Sequence, residues 1–286
     1  MRKLLTFLET IRFEHTIFAL PFAYMSLLLA MDGLPPAGLF GWITLAMVSA
    51  RTIGMAVNRL VDVEIDRRNP RTSTRPLVTG RITTREVILY TLLAGILFLV
   101  SVYHLAPLTH FLWPVVLVAL ICYPYAKRFT WLTHFALGAV YLMIPPAVWI
   151  AATNTLAPPA VFLGLAAATW VAGFDILYAL QDVEVDRKEG IHSIPADFGV
   201  PVSLVVARWL HAITVFALFL ARRSGGFGSF YLLGVGVTAA LLAYEHAIVR
   251  PDDLSRIHTS FFTMNGLVSV ALFLFALLDR TVLRSP

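Results

Sequence analysis

An all-helical integral membrane fold is predicted for this chain, on three observations. Of its 286 residues, 58% are hydrophobic and only 14% are charged; a soluble domain carries about 25% charged residues. The mean hydropathy is +0.78. Apolar runs long enough to cross a hydrocarbon core of about 30 Å recur along the whole sequence. No segment reads as a separate soluble domain, so residues 1–286 are expected to form one polytopic membrane domain.

The apolar runs predict nine spans, over residues 16–32, 38–60, 84–104, 108–125, 131–152, 158–181, 200–221, 228–249 and 259–279. The first begins after Arg12 and Glu14 and stops at Asp32-Gly33-Leu34-Pro35-Pro36. The second ends in an acidic signature. An arginine-rich loop leads to the third, which stops before Ala106-Pro107. The fourth runs into Tyr123 and Lys127, and the fifth contains Pro145-Pro146, a pattern expected to bend a helix beside a cavity. Ala157-Pro158-Pro159 opens the sixth. Ser224-Gly225-Gly226 closes the seventh, and Arg250-Pro251 closes the eighth. Arg12 and Glu14 break the N-terminal apolar stretch and no small-residue cleavage site follows, so no removable signal peptide is expected. The single cysteine, Cys122, lies in an apolar run and reads as a small buried residue. It excludes an intrachain disulfide and a thiolate metal cluster.

The net charge of +5 would suggest nucleic acid in a soluble protein. Here the cations follow the spans instead, and no nucleic-acid partner is expected. Arg2, Lys3, Arg12, the arginines of 59–85, Lys127, Arg128, Arg187, Lys188, Arg250 and Arg256 fall on one side. Arg222, Arg223, Arg280 and Arg284 fall on the other. Under the positive-inside rule the first side is cytoplasmic, and the N-terminus lies inside.

Two near-copies of one acidic signature lie on that face. They are Asp62-Val63-Glu64-Ile65-Asp66-Arg67-Arg68 and Asp182-Val183-Glu184-Val185-Asp186-Arg187-Lys188. Carboxylates beside membrane helices are costly and need a reason. Asn58, Asp62 and Asp66 are spaced i, i+4, i+8 and form one helical stripe, with neighbours roughly 6 Å apart. Asp175, Asp182 and Asp186, at i, i+7, i+11, form another. A solvated helix end would explain one Asp-x-x-x-Asp; a second copy in the matching place favours a site. Two carboxylate stripes across one cavity can hold Mg²⁺, which takes a few carboxylates together with phosphate oxygens and water. Arg67, Arg68, Arg71 and Arg75 trail the first stripe, and guanidinium groups grip phosphate bidentately. Lys127 could add a point charge. Arg51 shares the first stripe two turns deeper. It suits a substrate carboxylate or enolate, or else a structural ion pair with Asp175.

These residues resemble the UbiA family of intramembrane prenyltransferases. The likeness rests on Asn58-x-x-x-Asp62-x-x-x-Asp66, Arg75-Pro76-Leu77-Val78-Thr79-Gly80, Tyr123-x-x-x-Lys127, and Asp175 with Asp182-x-x-x-Asp186. Gly190-Ile191-His192-Ser193-Ile194 and Phe198-Gly199 follow in order. The stretch Ile11–Pro21 looks like the quinone-pathway branch that resembles 4-hydroxybenzoate polyprenyltransferases. Arg59 stands where many members have an aspartate.

The resemblance implies nine helices around a central cavity open to lipid. It implies Mg²⁺-dependent transfer of a polyprenyl group from its diphosphate to an aromatic acid, in ubiquinone or menaquinone biosynthesis. Asp62, Asp66, Asp182 and Asp186 would bind the diphosphate through Mg²⁺, with Asn58 and Asp175 assisting. Arg67, Arg75, Lys127 and Lys188 would neutralise the departing diphosphate. Tyr123 would lie beside the reacting allylic carbon, and Arg51 would hold the acceptor's acid group. The histidines form no ligand cluster in sequence; His15, at the start of the first span, is the one to watch. A cation-coupled transporter is the alternative class, since intramembrane aspartates and proline breaks occur there too. A CDP-alcohol phosphotransferase would need Gly and Ala-Arg inside its aspartate motif, and they are absent here.

Overall fold

The computed structural model describes residues 2–13, 16–250, 253, 254, 256, 257 and 260–282. Among them the chain is helical apart from turns, loops and one isolated bridge between Arg250 and Asp253. Eight helical segments are long and apolar enough to cross a membrane, and Ala19–Ala30 forms a shorter apolar helix. Together they occupy the nine expected places. His15 and Arg284 lie outside the described residues.

The first helix, α1 (Arg2–Thr10), was not expected. It buries Phe7, and Ile11 just beyond it, against Ala56, Leu77 and Ile82, while Leu4 and Leu5 stay exposed. The spans then run α2 (Thr16–Ala30), α3 (Ala37–Arg68), α4 (Thr84–Tyr103) and α5 (Thr109–Cys122). A 3₁₀ segment, Tyr123–Arg128, extends α5, with Pro124 in its first turn. The fifth span divides into α6 (Thr133–Leu142) and α7 (Ile144–Thr153) just before Pro145-Pro146. Proline removes a backbone donor and crowds the preceding turn, so the break falls where the sequence places it.

The sixth span is α8 (Pro158–Ala179), a 3₁₀ turn at Leu180–Asp182, and α9 (Val183–Glu189). Next comes α10 (Ile194–Gly225), kinked at Gly199, whose φ of 83° suits glycine. Its helix therefore begins several residues before the expected span. The bundle closes with α11 (Ser229–Ile248), a π-helical turn at Ser260–Met264, and α12 (Asn265–Thr281).

The sixth span forms the centre. Trp170 is fully buried, stacked on Phe22 at 5.3 Å, and donates from Nε1 to Asn265 Oδ1 at 2.8 Å. Backbone contact is close there. A Cβ on Gly164 would lie 2.4 Å from the Leu142 carbonyl oxygen, so only glycine lets α8 approach α6 this far. Outward faces carry Leu89, Leu92, Ile96, Phe111, Val115, Trp209 and Phe216, all exposed. On a membrane protein such faces meet lipid. Cys122 belongs to this outer set. It is exposed rather than buried, because α5 packs only a narrow inner face against its neighbours.

Candidate active site

Both acidic stripes line one cavity of about 600 Å³. The straight C-terminal half of α3 keeps the i, i+4, i+8 spacing, so Asn58, Asp62 and Asp66 all face it. Opposite them stand Asp175 on α8, Asp182 at the 3₁₀ turn and Asp186 on α9. The turn interrupts the helix without moving the three acids off one face. Glu64 and Glu184, the glutamates inside the signatures, are exposed on the far side.

Three carboxylates are held by cations from other segments. Lys127 Nζ lies 2.5 Å from Asp62 Oδ2, and Arg75 Nη1 lies 2.5 Å from Asp66 Oδ2. Arg71 forks onto Asp182, Nε to Oδ1 at 2.9 Å and Nη2 to Oδ2 at 2.5 Å. Asn69 Nδ2 also donates to Asp182 Oδ1 at 2.8 Å. Burial, the largest single influence, opposes charge on the Arg71 guanidinium, but its bonds to Asp182 together with the nearby Tyr178 and Asp66 hold its pKa above the ordinary value. Asp186 Oδ2 accepts from Ser193 Oγ at 3.3 Å. The loop after α3 therefore folds back across the cavity and ties the first signature to the second.

The expected diphosphate cations divide. Arg75 and Lys127 line the cavity. Arg67 does not; it is exposed and paired with Glu64 at 2.9 Å. Lys188 is also exposed and away from the lining. The helical period explains both: each lies one or two residues past an inward aspartate and so points elsewhere. Arg71, which the sequence does not distinguish from its neighbours, faces the cavity instead.

The helix α1 and the turn after it roof this chamber through Glu9, Thr10 and Arg12. Arg59 donates to the Thr10 carbonyl at 3.1 Å and to Asn58 Oδ1 at 3.1 Å. It thereby joins roof and stripe. Arg51 also lines the chamber, and donates to the carbonyls of Ile11 at 3.4 Å and Arg12 at 3.2 Å. Asp175, the other candidate partner for Arg51, accepts from His134 Nδ1 at 2.7 Å. Sequence reasoning passed over His134, because nothing local marks a contact across 41 positions.

The donor set suits a hard divalent cation. Asp62 Oδ1 is buried with no hydrogen-bond partner, and the five aspartates of the two stripes share its cavity. Asn58 Oδ1 keeps a second lone pair beyond its bond from Arg59. Among the described residues no three of His, Cys, Asp and Glu converge closely enough to hold an ion alone. Mg²⁺ does not require them to, since it takes phosphate oxygens and water beside one or two carboxylates.

Behind the polar cavity lies an apolar chamber of about 180 Å³ between α3, α4, α5 and α7. Ala50, Phe98, Trp113 and Ala147 belong to its wall. Arg51, Met55, Tyr123, Leu137 and Tyr141 line both spaces. Tyr123 thus stands at the junction, its hydroxyl 3.4 Å from the Gly54 carbonyl.

A polar space lined by carboxylates and cations thus adjoins an apolar one, within the helical bundle. The pattern of the UbiA prenyltransferase family matches residues 19–267. The chain belongs to that family. Among its UbiA relatives is the 4-hydroxybenzoate octaprenyltransferase of Saccharophagus degradans, 30% identical over 257 residues, 90% of this chain and 85% of that protein. The enzyme of the same name from Marinobacter nauticus is 33% identical over 258 residues, 90% of this chain and 87% of that protein. The apo structure of a UbiA homolog from Aeropyrum pernix K1 superposes with a TM-score of 0.85 at 31% identity, covering 93% of this chain and 98% of that one. A UbiA homolog from Archaeoglobus fulgidus, solved with DMAPP and Mg²⁺, shares the fold at a TM-score of 0.68 and 20% identity, over 97% of this chain and all of that one (100%). The Saccharophagus and Marinobacter relatives are both named as transferases.

Proposed function

We propose that this protein transfers a polyprenyl group from its diphosphate to a ring carbon of a hydroxy-aromatic acid, in the formation of a ubiquinone or menaquinone precursor. One observation carries the reading. A cavity lined by carboxylates and cations meets an apolar chamber at Tyr123, so a diphosphate and a hydrocarbon tail can be held end to end. The names of the curated relatives support an aromatic acceptor, and the DMAPP and Mg²⁺ bound by the Archaeoglobus homolog support the donor class.

Asp62, Asp66, Asp182, Asp186 and Asn58 would hold Mg²⁺, which when bound offsets the charge of the departing diphosphate. Lys127, Arg71 and Arg75 already sit on three of those carboxylates. With a diphosphate bound, these cations would turn to its oxygens, where guanidinium bonds are bidentate and strong. The allylic C–O bond then breaks and its electron pair leaves with the diphosphate. Tyr123 and Tyr141, which line both spaces, give the allylic cation aromatic faces and exclude water. A ring carbon beside the acceptor's hydroxyl gives its electron pair to the cation and then loses its proton to the released diphosphate. Arg51 receives the acceptor's carboxylate. Both 4-hydroxybenzoate and a hydroxynaphthoate carry the required phenol and acid.

The cation distribution supports a cytoplasmic mouth and an inside N-terminus in the inner membrane. The tail enters from the bilayer, where a long polyprenyl chain resides.

The test supplies membranes containing the protein with Mg²⁺, a polyprenyl diphosphate and each aromatic acid in turn. Diphosphate release together with a prenylated ring is expected. No transfer to any acid, combined with proton- or sodium-driven uptake in vesicles, would favour the transporter reading instead.

A further inference from the structure

We propose that His134, held by Asp175, receives the hydroxyl of the aromatic acceptor and so selects and orients the ring for transfer. The inference rests on the prenyl-transfer reading and adds to it a residue which no part of that reading requires.

The His134 side chain is only 3% exposed, yet it lines the polar cavity. Its two ring nitrogens are in different situations. Nδ1 lies 2.7 Å from Asp175 Oδ2. Nε2 is buried and has no hydrogen-bond partner. A carboxylate only accepts, so the proton between Nδ1 and Asp175 belongs to the imidazole. In the neutral form of the ring with its proton on Nδ1, the form in which it can receive a hydroxyl, Nε2 is an acceptor. Buried polar atoms are rarely left unpaired, and an unpaired one in a site calls for a ligand. The group that satisfies this atom is an O–H donor. A diphosphate offers acceptor oxygens and a prenyl tail offers nothing, so of the reactants only the phenolic acceptor fits.

The surroundings agree in direction. His134 lines the same cavity as Asp186, with Asp186 on the metal side. Its partner Asp175 lies within electrostatic reach of Tyr141, and Tyr141 in turn within reach of Arg51. Leu137, Val171 and Phe174 supply apolar wall in the same cavity. In the proposed pose the ring lies between them, its hydroxyl on His134 and its acid on Arg51. The ring carbon beside the hydroxyl then faces the diphosphate side, where the new bond forms. Asp175 touches no substrate in this arrangement. It is a positioning residue that fixes the tautomer and the plane of the ring it holds.

The experiment is calorimetric titration of detergent-purified protein, in Mg²⁺ and inorganic pyrophosphate, with 4-hydroxybenzoate and separately with 4-methoxybenzoate. Methylation removes the O–H donor and keeps the ring and the acid. The wild type should bind the hydroxy acid about tenfold or more tightly than the methoxy acid, one good hydrogen bond's worth of affinity. In His134→Ala that ratio should fall to about one, and Asp175→Asn should follow it, since an amide no longer enforces the tautomer. His134→Gln restores an acceptor oxygen and should recover part of the preference, which a purely structural role would not produce. Pyrophosphate affinity should be unchanged in His134→Ala. A wild type without preference, a preference that survives His134→Ala, or a variant whose loss is in pyrophosphate affinity would each overturn the assignment. Prenyl transfer assayed on the same samples separates the two readings. Transfer with a hydroxyl preference indifferent to His134 overturns only this proposal. A His134-dependent preference without transfer overturns only the prenyl-transfer reading.

Discussion

Lys127 holds one oxygen of Asp62 at 2.5 Å, while the other oxygen of the same buried carboxylate touches no protein donor. The charge is balanced but the coordination is incomplete, as a site that exchanges a lysine for a divalent cation requires. Replacing Lys127 by Met removes the balance. Mg²⁺ should then raise the thermal unfolding temperature of Lys127→Met more than that of the wild type, because in the variant buried Asp62 has lost its cation. The KM for prenyl diphosphate should rise about tenfold or more, since a charge-assisted contact to phosphate is lost. Equal stabilisation of both proteins by Mg²⁺ would contradict the exchange.

What the sequence made legible was local. Asn58, Asp62 and Asp66 could be placed on one face because the helical period is fixed over three turns. The break at Pro145-Pro146 was visible because proline interrupts the local hydrogen-bond ladder. What escaped depended on distant packing. Arg71 rather than Arg67 reaches the cavity because the loop after α3 folds back onto Asp182, and loop direction is not written in spacing. The helix α1 covers the chamber with an amphipathic turn too short and too charged to register as a span. His134 acquires its role only from Asp175, 41 positions away.

The apolar chamber gives a prediction about donor length. Ala50 and Ala147 line it. Ala147→Phe fills space that the tail needs and leaves the diphosphate residues in place. The ratio of rates with a long polyprenyl diphosphate to rates with a ten-carbon donor should fall about tenfold or more, within the range that hydrophobic pocket contacts command. An unchanged ratio would mean that the tail lies elsewhere.

Asp279 caps a helix to which it does not belong. Its carboxylate accepts from the backbone N–H of Gly228 at 2.7 Å and of Tyr231 at 3.2 Å, at the start of α11. Asp279→Ala strips those donors of their partner and should cost about 1–2 kcal/mol of stability. The carboxylate does not line the cavity, so activity per folded molecule should persist. Thermal unfolding in detergent beside a specific-activity measurement checks both halves.

Close approach of α6 and α8 gives another. A side chain on Gly164 meets the Leu142 carbonyl at 2.4 Å, and a backbone atom cannot rotate away. Gly164→Ala should destabilise by about 1–3 kcal/mol, as overpacking does, and Gly164→Leu should abolish monodisperse protein on gel filtration. A stable, monodisperse Gly164→Leu would refute this packing.

The central claim is that the two acidic signatures act together on one diphosphate. Its most direct measurement is the prenylated acid formed per diphosphate released, by wild type, Asp62→Ala and Asp182→Ala, with Mg²⁺ in excess. The account predicts one product per diphosphate in the wild type. It predicts a loss of about a hundredfold or more in either variant, since each removes charge stabilisation from the same departing group. Undiminished transfer by either variant would contradict it.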